Sequence, residues 1–419
     1  MTDNKTDIIN ELAGLDPSDP IAALRDQRGQ AKKNAQLSFA ALLEPDNPGG
    51  FSYTERYAVA AFVTGFFQAE RAYSFYVDVL ADDAEPRLVD AVAAAVERAR
   101  LAGPYSGGGY VLFDADALGT RLAAAFDYAH LIGFHPKDAD AAALGHLDQA
   151  GWGADEIVSL AQLISFLAFQ VRVVRGLQVL SLDAESSGNA AAPVAAPTSA
   201  TTATSDQTQE TVDWEPTANT PVHDIVEPTR FVNHALGWKP NIPPLAKEDF
   251  TAEQRDALIK PERIDAPYFR LLARDPAALK ARTLTDLDIF YNTDGGMGRA
   301  ERELAATVVS RFNGCEYCAS VHQQRSKEEG GDATVIDRLL DEGVDADMGT
   351  PAWSAIRDAA VALTRTPIAF GSEHLAALRA QGFDDLAIID MIYSAAFFNW
   401  ANRLMLSLGQ AEVPKRFQA

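Results

Sequence analysis

The strongest constraint on the fold is a repeat: two segments occur, in the same order, in both halves of this 419-residue chain. Residues 55–76 align without a gap on 301–322, and residues 151–172 align without a gap on 382–403. In both pairs the apolar residues recur at helical spacing, and the chain has no convincing run with the alternation of a strand. Two matches in one order indicate an internal duplication. The sequence therefore predicts an all-α fold made of two similar helical domains.

Between the two copies lies a segment of different composition, at 182–213. It consists mainly of Ala, Ser, Thr, Pro and acidic residues, and no Lys or Arg occurs between Arg175 and Arg230. Such a segment cannot bury enough apolar surface to offset the entropy lost on ordering. We therefore expect a flexible linker at 182–213, which joins a first domain at 1–181 to a second at 214–419.

Charge and hydropathy limit the partners and the compartment. The formal net charge of −23 argues against nucleic acid and anionic lipid, because both would be repelled. The N-terminus has no basic stretch followed by an apolar core, so we expect no signal peptide. The most apolar stretches, 157–171 and 386–401, are too short or too interrupted to span a bilayer. We expect a cytoplasmic protein without a nucleic-acid or membrane partner.

The chain has only two cysteines, Cys315 and Cys318, and His322 follows them closely. Gly314 ends one predicted helix, and a new helix from Cys315 would place both cysteines and His322 on one face. The positive end of that helix favours a thiolate. Glu303, one helix earlier, could hold the imidazole or relay a proton. This is the chemistry that a thiol peroxidase or a disulfide reductase requires.

Two other interpretations of the cluster stay open. Lone cysteines on a helix are most often inert buried residues. Alternatively Cys315, Cys318, His322 and Glu303 include the ligand types of a zinc site. Structural zinc usually takes its ligands from two separated segments, whereas here the cysteines and the histidine lie within two turns of one helix. This spacing disfavours zinc.

The spacing of Glu303, Cys315, Cys318 and His322 resembles the E-x11-C-x2-C-x3-H signature of the alkylhydroperoxidase (AhpD) branch of the carboxymuconolactone decarboxylase family. The resemblance implies an all-α fold, hydroperoxide reduction and a homo-oligomer, commonly a trimer or larger ring. It also implies that Cys318 attacks the peroxide and that Cys315, the more exposed thiol, resolves the product as a disulfide. His322 and Glu303 would relay protons. Where the prototype has a histidine before the second cysteine, this chain has Tyr317.

The same resemblance implies the co-reactants of the cycle. No metal or organic cofactor is needed. The electrons would come from a dithiol reductant, either a protein-bound dihydrolipoamide or a thioredoxin-like partner. The oxidant would be a small-molecule hydroperoxide.

The first half lacks the reactive groups of the second. At the positions of the glutamate, the two cysteines and the histidine, the repeat places Tyr57, Ala69, Ala72 and Tyr76. We therefore expect a degenerate copy, kept for packing, oligomer closure or substrate access. The two tyrosines should lie close together and fill the volume of the lost site.

The last predicted helix, 386–404, carries Asn399, Asn402 and Arg403 in an otherwise apolar run. Buried polar groups need hydrogen-bond partners. We expect these three residues to hold the end of a neighbouring helix or an acid rather than to face the site.

The main hypothesis is a thiol-dependent peroxidase that reduces organic hydroperoxides or hydrogen peroxide through a Cys315–Cys318 dithiol/disulfide cycle. One alternative is a decarboxylase of the carboxymuconolactone type, which does not rely on a C-x-x-C pair. The other is a redox-responsive assembly protein without enzymatic activity, in which the cysteine pair senses oxidation.

Overall fold

The computed structural model describes residues 7–100, 105, 109–188 and 209–418. Nineteen α-helices occupy most of that part of the chain, and the predicted all-α fold is confirmed. The helices of the first half are α1 (Ile8–Ala13), α2 (Pro20–Asp26), α3 (Gly29–Leu43), α4 (Tyr53–Phe66), α5 (Glu70–Asp83), α6 (Pro86–Ala99), α7 (Ala115–Leu118), α8 (Thr120–Phe134), α9 (Ala141–Gln149) and α10 (Ala154–Gly188). Those of the second half are α11 (Ala252–Ala257), α12 (Pro267–Leu272), α13 (Pro276–Tyr291), α14 (Arg299–Asn313), α15 (Glu316–Glu328), α16 (Ala333–Glu342), α17 (Pro351–Thr364), α18 (Ser372–Ala380) and α19 (Asp385–Ser407).

Short strands fasten the segment that joins the halves. They are β1 (Gly109–Tyr110), β2 (Glu210–Thr211), β3 (Gly237–Pro240) and β4 (Gly409–Glu412), and they form the antiparallel pairs β1–β2 and β3–β4. Just after β2, Trp214 stacks on Tyr110 and His146, at ring-centroid distances of 4.0 and 4.3 Å. The segment therefore packs first against the first half, through β2 and Trp214. Further along the chain, β3 pairs with β4 near the end of the second half.

Equivalent helices begin at equivalent residues of the repeat. The offset that aligns 55–76 with 301–322 also relates the start of α4 to that of α14, and the start of α5 to that of α15. The offset of the second pair relates the start of α10 to that of α19. An internal duplication predicts this correspondence. The limits of the two domains, 1–181 and 214–419, stay a prediction.

Two equivalent arginines close equivalent loops. Arg56 donates from Nε to the carbonyl of Phe51 at 2.9 Å, just before α4. Arg302 donates from Nε to the carbonyl of Met297 at 2.7 Å, just before α14. Both arginines are buried. Each satisfies carbonyls that would otherwise be buried without a donor, so the loops have the same form.

The long helices α10 and α19 pack against each other at the centre of the molecule. The Trp400 ring of α19 lies 5.2 Å from Phe166 and 5.6 Å from Phe169 of α10, measured between ring centroids. The Trp400 Nε1 donates to Gln162 at 3.2 Å. Similarly, α3 packs along α13. Like elements of the two halves thus face one another, as in the interface of a twofold-symmetric dimer.

Reciprocal hydrogen bonds cross between the halves. Arg172 of α10 donates to the carbonyl of Thr364 in the second half at 3.0 Å. Arg403 of α19 donates to the carbonyl of Gly133 in the first half at 2.8 Å. The two arginines are equivalent in the repeat, and so are the two carbonyls. One chain therefore contains a pseudo-twofold pair of halves around a shared core.

A buried ionic network anchors the N-terminal helices to the second half. Arg28, between α2 and α3, donates to both carboxylate oxygens of Asp390 at 2.7 and 2.9 Å. Arg302 lies 3.0 Å from the same carboxylate. These side chains are no more than 2% exposed. The network joins the first helices to α14 and α19, two helices of the second half.

By length and composition, α10 could span a bilayer, so the expectation that no stretch could do so is wrong for this helix. The stretch Ala154–Asp183 is long and apolar enough, with a mean hydropathy of 1.8 in its most apolar part. However, 94% of that part is buried inside the protein. This is the environment of a core helix.

Most of the predicted linker lies outside the described residues, which stop at 188 and resume at 209. Its first residues, 182–188, complete α10, so the boundary predicted after residue 181 falls inside a helix. Near its other end, Glu210–Thr211 forms β2. Polar, alanine-containing residues can extend a helix that is already nucleated, which composition alone does not reveal.

Replacing Asp390 with alanine tests the buried network. The variant leaves two buried guanidinium groups without their shared carboxylate, which costs about 3–5 kcal/mol in such pairs. We expect the free energy of unfolding, measured by urea titration, to fall by about that amount. The control is Asp256→Ala, which breaks the exposed Lys280–Asp256 pair and should leave the unfolding midpoint unchanged. Equal losses in the two variants would contradict this role of the network.

Candidate active site

A sharp turn between α14 and α15 positions the cysteines. Gly314 ends α14 in the left-handed conformation, with φ of 80°, which favours glycine. Cys315 follows as the N-cap of α15, and its N–H donates to the carbonyl of Ser310 at 2.8 Å. Cys318 lies in the first turn of α15, and His322 lies one turn later. The helix start therefore directs its free N–H groups and its positive dipole end toward the cysteine pair.

The end of α14 is held by α19. The Asn402 side chain accepts a hydrogen bond from Asn313 and donates one to the Ser310 hydroxyl, both at 3.1 Å. Asn399 donates to the Thr364 hydroxyl at 3.0 Å. These contacts agree with the expected role of the polar residues in the last helix. They also fix the turn that carries Cys315, because Ser310 accepts the hydrogen bond from its N–H.

Both cysteines are free thiols, and both are buried. Cys315 is 1% exposed and Cys318 is 5% exposed, so the expectation that Cys315 is the more exposed thiol is wrong. Lys137 of the first half packs against the adjacent turn at Gly314. A Cβ placed on Gly314 would meet the Lys137 Cβ at 2.9 Å. The sequence gives no sign of this contact between distant segments.

The surroundings of Cys315 make its thiol a weak acid. Burial raises the pKa of the Cys315 thiol well above its ordinary value, and the adjacent Cys318 sulfur raises it further. Cys315 therefore keeps its proton at neutral pH and can donate a hydrogen bond to the neighbouring sulfur. Cys318 lies within the first turn of the helix, at the positive end of its dipole, where a thiolate is favoured.

Glu303 and His322 form a buried acid–imidazole pair. The His322 Nδ1 donates to Glu303 Oε2 at 2.5 Å, and the two residues are 8% and 0% exposed. Burial alone would raise the pKa of Glu303, but the charge and hydrogen bond of His322 outweigh it and lower that pKa. The carboxylate fixes Nδ1 as the donor, which leaves Nε2 to exchange a proton. The His322 ring packs on Phe398, with ring centroids 4.2 Å apart.

Tyr317 stands where the prototype of the resemblance has a histidine. It is half-buried beside the cysteines. Burial raises the pKa of its phenol, and the charges of Cys318 and Cys315 raise it further. The phenol therefore stays protonated near neutral pH. It can donate a hydrogen bond but cannot act as a base in place of the histidine.

One wall of the site, contributed by α12 and α13, was missed by the sequence analysis. Arg282, Asp286 and Phe290 follow at intervals of four along α13 and share one face. The centroid of the Phe290 ring lies 5.8 Å from that of His322. The guanidinium carbon of Arg282 lies 5.7 Å from the ring centroid of Tyr268 on α12. Four-residue spacing is the only trace in the sequence, and ordinary amphipathic helices show it too.

Burial and neighbouring charges act on Tyr268 and Asp286 of this wall. Burial raises the pKa of Tyr268; Arg282 opposes the effect, and the charge of Cys318 adds to it. Burial also raises the pKa of Asp286, while the positive charges of Arg282 and His322 oppose it. Cys318 and Tyr268 therefore act on each other electrostatically, and so do His322 and Asp286.

A cleft of about 550 Å³ leads to Cys315 from solvent. The second half contributes, besides Cys315 itself, Tyr317, Trp238 and Met405 to its lining. The first half contributes a segment that includes Lys137, Asp138 and Asp140. Because residues of both halves line it, the cleft depends on the pseudo-twofold packing. Cys315, rather than Cys318, lies at its wall.

Aromatic side chains fill the equivalent place in the first half. The rings of Tyr57 and Tyr76 lie 6.5 Å apart, as expected from the repeat. Tyr76 is fully buried and donates from its hydroxyl to Gln170 at 2.7 Å. Tyr57 donates to Glu44 at 3.2 Å. The described part of the first half thus carries packed phenols where the second carries a carboxylate and an imidazole, and alanines where the second carries thiols.

The zinc interpretation lacks the necessary geometry. Within the described ranges, no group of three or more His, Cys, Asp or Glu side chains is arranged to hold a metal ion. Glu303 and His322 bind each other, so neither directs its atoms to a shared centre with the sulfurs.

One family model and one solved structure are similar to parts of this chain. Residues 276–365 match the model of the carboxymuconolactone decarboxylase family, and this segment includes Glu303, Cys315, Cys318 and His322. An uncharacterized peroxidase-related protein from Silicibacter sp. TM1040, of known structure, is 26% identical; the match covers 39% of this chain and 89% of that chain, with a TM-score of 0.34. No curated protein matches the chain. The segment 276–365, which carries the site, is therefore similar to the carboxymuconolactone decarboxylase family.

Proposed function

We propose that this protein is a thiol-dependent peroxidase that reduces organic hydroperoxides or hydrogen peroxide through Cys318 and Cys315. The proposal rests chiefly on the 2.5 Å hydrogen bond between His322 and the buried Glu303. His322 belongs to the helix that also carries the two free thiols. An inert cysteine pair needs no oriented imidazole beside it. A peroxidase needs one, because a proton must leave a thiol and another must reach an alkoxide.

In the first step, His322 takes the proton of Cys318, and the thiolate attacks one peroxide oxygen. The O–O bond breaks as the S–O bond forms, so that Cys318 becomes a sulfenic acid and the peroxide leaves as an alcohol or water. The proton for the departing oxygen comes from the imidazolium. Glu303 keeps the imidazole oriented and stabilises its charge during this exchange.

In the second step, the Cys315 sulfur attacks the sulfenic sulfur of Cys318. The S–S bond forms, the S–O bond breaks, and water leaves with the proton of the Cys315 thiol. The raised pKa of Cys315 holds its thiol protonated until this step. Sulfenic acids condense with a nearby thiol in this way.

In the third step, a dithiol reductant reduces the disulfide through the cleft at Cys315. One thiolate of the reductant attacks a cysteine sulfur, and its second thiol completes the exchange, so that the reductant becomes a disulfide. Cys315 is the cysteine that lines the cleft, which favours it as the point of attack. A dihydrolipoamide arm and a thioredoxin-like protein both supply this chemistry. The cytoplasm supplies such reductants, and we propose it as the compartment.

The first half has no thiol, so its proposed role is structural. It forms part of the cleft wall and packs on the second half as a built-in partner. Assembly of whole chains into a homo-oligomer belongs to the same proposal. Because the two halves pack together within one chain, the first half would line the cleft in every subunit of such an oligomer.

Substituting each cysteine separately tests the cycle. We expect Cys318→Ser to abolish peroxide consumption, since the attacking sulfur is lost. Cys315→Ser should still react once with peroxide but should lose turnover with a dithiol. The measurement is peroxide consumption under excess dihydrolipoamide, with burst amplitude recorded separately. Turnover that survives in Cys318→Ser would rule out the mechanism.

Thiol alkylation and the number of turnovers separate the competing functions. A decarboxylase would convert a lactone acid whether or not its thiols are alkylated. A redox-responsive assembly protein would form the disulfide once, stoichiometrically, without turnover. The proposed peroxidase shows turnover that alkylation stops.

Thiol acidity gives a second test. In Cys318→Ser the remaining Cys315 stays buried, which is the main cause of its raised pKa. We expect iodoacetamide at pH 8 to leave this variant largely unmodified and to alkylate Cys318 in Cys315→Ser. Mass spectrometry of the intact proteins gives the extent of reaction. Faster alkylation of Cys315 than of Cys318 would reverse the assigned roles.

The Glu303–His322 pair predicts a pH-dependent contribution to stability. Because the folded protein lowers the pKa of Glu303, the pair stabilises the fold above the ordinary value of 4.5 and loses that effect as pH falls below it. We expect Glu303→Gln to reduce the free energy of unfolding by about 1–3 kcal/mol at pH 7. The difference from the wild type should shrink at pH 4. A difference that grows on acidification would contradict the assignment.

A further inference from the structure

We propose that another cavity, between the two halves, binds an α-amino acid with an apolar side chain. This cavity has a volume of about 800 Å³ and is larger than the cleft at Cys315. Residues of α3, α10 and α13 line it. Among the described residues, none lines both the cavity and the cleft. The inference is therefore independent of the proposed peroxidase cycle.

The first observation comes from the repeat, which relates the cavity to the buried ionic network of the second half. In that network, Arg302 lies 3.0 Å from the carboxylate of Asp390. The register of the repeat places Arg56 at the position of Arg302. It places Ser159 at the position of Asp390. Both Arg56 and Ser159 line the cavity, so the first half keeps the arginine there but has a hydroxyl in place of the carboxylate.

The second observation is that Arg56 is a buried cation whose hydrogen bonds go to neutral groups. It is 4% exposed. It donates to the carbonyls of Phe51, Leu42 and Pro48, at 2.9, 2.7 and 3.4 Å. Nη2 makes the longest and weakest of these bonds. In the part of the chain that the structure describes, no acid forms an ion pair with Arg56. A guanidinium group in this state favours a carboxylate, with which it can form two parallel hydrogen bonds.

The third observation is Asp275, an acid of the lining that also binds only neutral groups. Its Oδ2 accepts from the Ser159 hydroxyl at 2.8 Å, and its Oδ1 accepts from the N–H of Ala278 at 3.1 Å. A carboxylate has about four lone-pair sites, so each oxygen can accept from a further donor. Asp275 and Arg56 act on each other electrostatically but form no ion pair within 4 Å.

The other charged groups of the lining are paired or exposed. Salt bridges pair several of them: Arg274–Asp155, Arg121–Glu156 and Lys280–Asp256. The remaining acids are exposed to solvent: Glu44, Asp46 and Glu253. Solvent and salt screen exposed charges. Arg56 and Asp275 are therefore the two charges that a bound molecule would neutralise most effectively.

An α-amino acid matches this arrangement. Its carboxylate accepts hydrogen bonds from Arg56, and its ammonium group donates to Asp275. Apolar side chains line another part of the cavity: Leu37, Ala40, Ala41, Ala281 and Leu284. Leu37 is 46% exposed, and contact with an apolar ligand side chain would remove its surface from water. A ligand with a carboxylate alone would place a second negative charge near Asp275, so the cavity favours the zwitterion.

Titration calorimetry of the full chain with a matched set of ligands tests the inference. Leucine carries both charged groups, 4-methylpentanoate lacks the ammonium group, and 3-methylbutylamine lacks the carboxylate. We expect leucine to bind at least about tenfold more tightly than either analogue, since each analogue loses a hydrogen bond between charged groups. Methionine and phenylalanine extend the set to longer and aromatic side chains.

Two conservative variants assign the charges. Asp275→Asn keeps an acceptor for the Ala278 N–H and should weaken leucine binding about tenfold without weakening 4-methylpentanoate binding. Ser159→Asn extends a carbonyl oxygen toward Arg56, as Asp390 extends its carboxylate toward Arg302. It should weaken the binding of both ligands at least about tenfold.

The matched control is Ser159→Ala, which adds no group to the cavity and should bind leucine as the wild type does. Urea unfolding midpoints establish that each variant is folded.

Three results would overturn the inference. The first is the absence of heat from leucine, methionine and phenylalanine at millimolar concentration with the wild type. The second is 4-methylpentanoate that binds as tightly as leucine, which would remove the role of Asp275. The third is leucine affinity that is equal in the wild type, Asp275→Asn and Ser159→Asn, because the amino acid would then bind elsewhere.

Discussion

The packing of α10 against α19 is the constraint on which the rest of the structure depends. Both helices are almost wholly buried, and their aromatic side chains interlock around Trp400. Burial of each such side chain contributes about 1.5–3 kcal/mol to the free energy of unfolding, so exposure of this interface between α10 and α19 would be very unfavourable. Because α19 is held in this interface, the polar residues along it have fixed positions. Asp390 then holds the N-terminal helices, and Asn402 holds the end of α14 that leads to Cys315.

The two halves show how one scaffold can carry or omit a reactive site. The loops before α4 and α14 have the same arginine closure, and the helices begin in the same register. The difference lies in the side chains that fill the pocket. In the first half, the Tyr76 hydroxyl donates its hydrogen bond to Gln170 and no thiol lies beside it. In the second half, a carboxylate holds His322 beside two thiols. The first half nevertheless takes part, since Lys137 covers the turn at Gly314 and lines the cleft.

Local patterns in the sequence were sufficient to predict the helices, the repeat and the residues of the cysteine motif. Helical periodicity, the Gly314 break and the spacing from Glu303 to His322 are all local or nearly local signals. The wall formed by Tyr268 and Arg282 could not be predicted, because it depends on how α12 and α13 pack on the motif helices. For the same reason the low exposure of Cys315 was missed. The end of α10 was misplaced because polar residues can prolong a helix that the core has already fixed.

In the proposed cycle, Cys315 and Cys318 form a reversible dithiol that peroxide oxidises. The most direct test is a count of free thiols in the unmodified protein before and after one equivalent of an organic hydroperoxide, and again after dihydrolipoamide. We expect both thiols to disappear together and both to return on reduction. Thiols that persist after peroxide treatment, or that are lost without recovery, would contradict it.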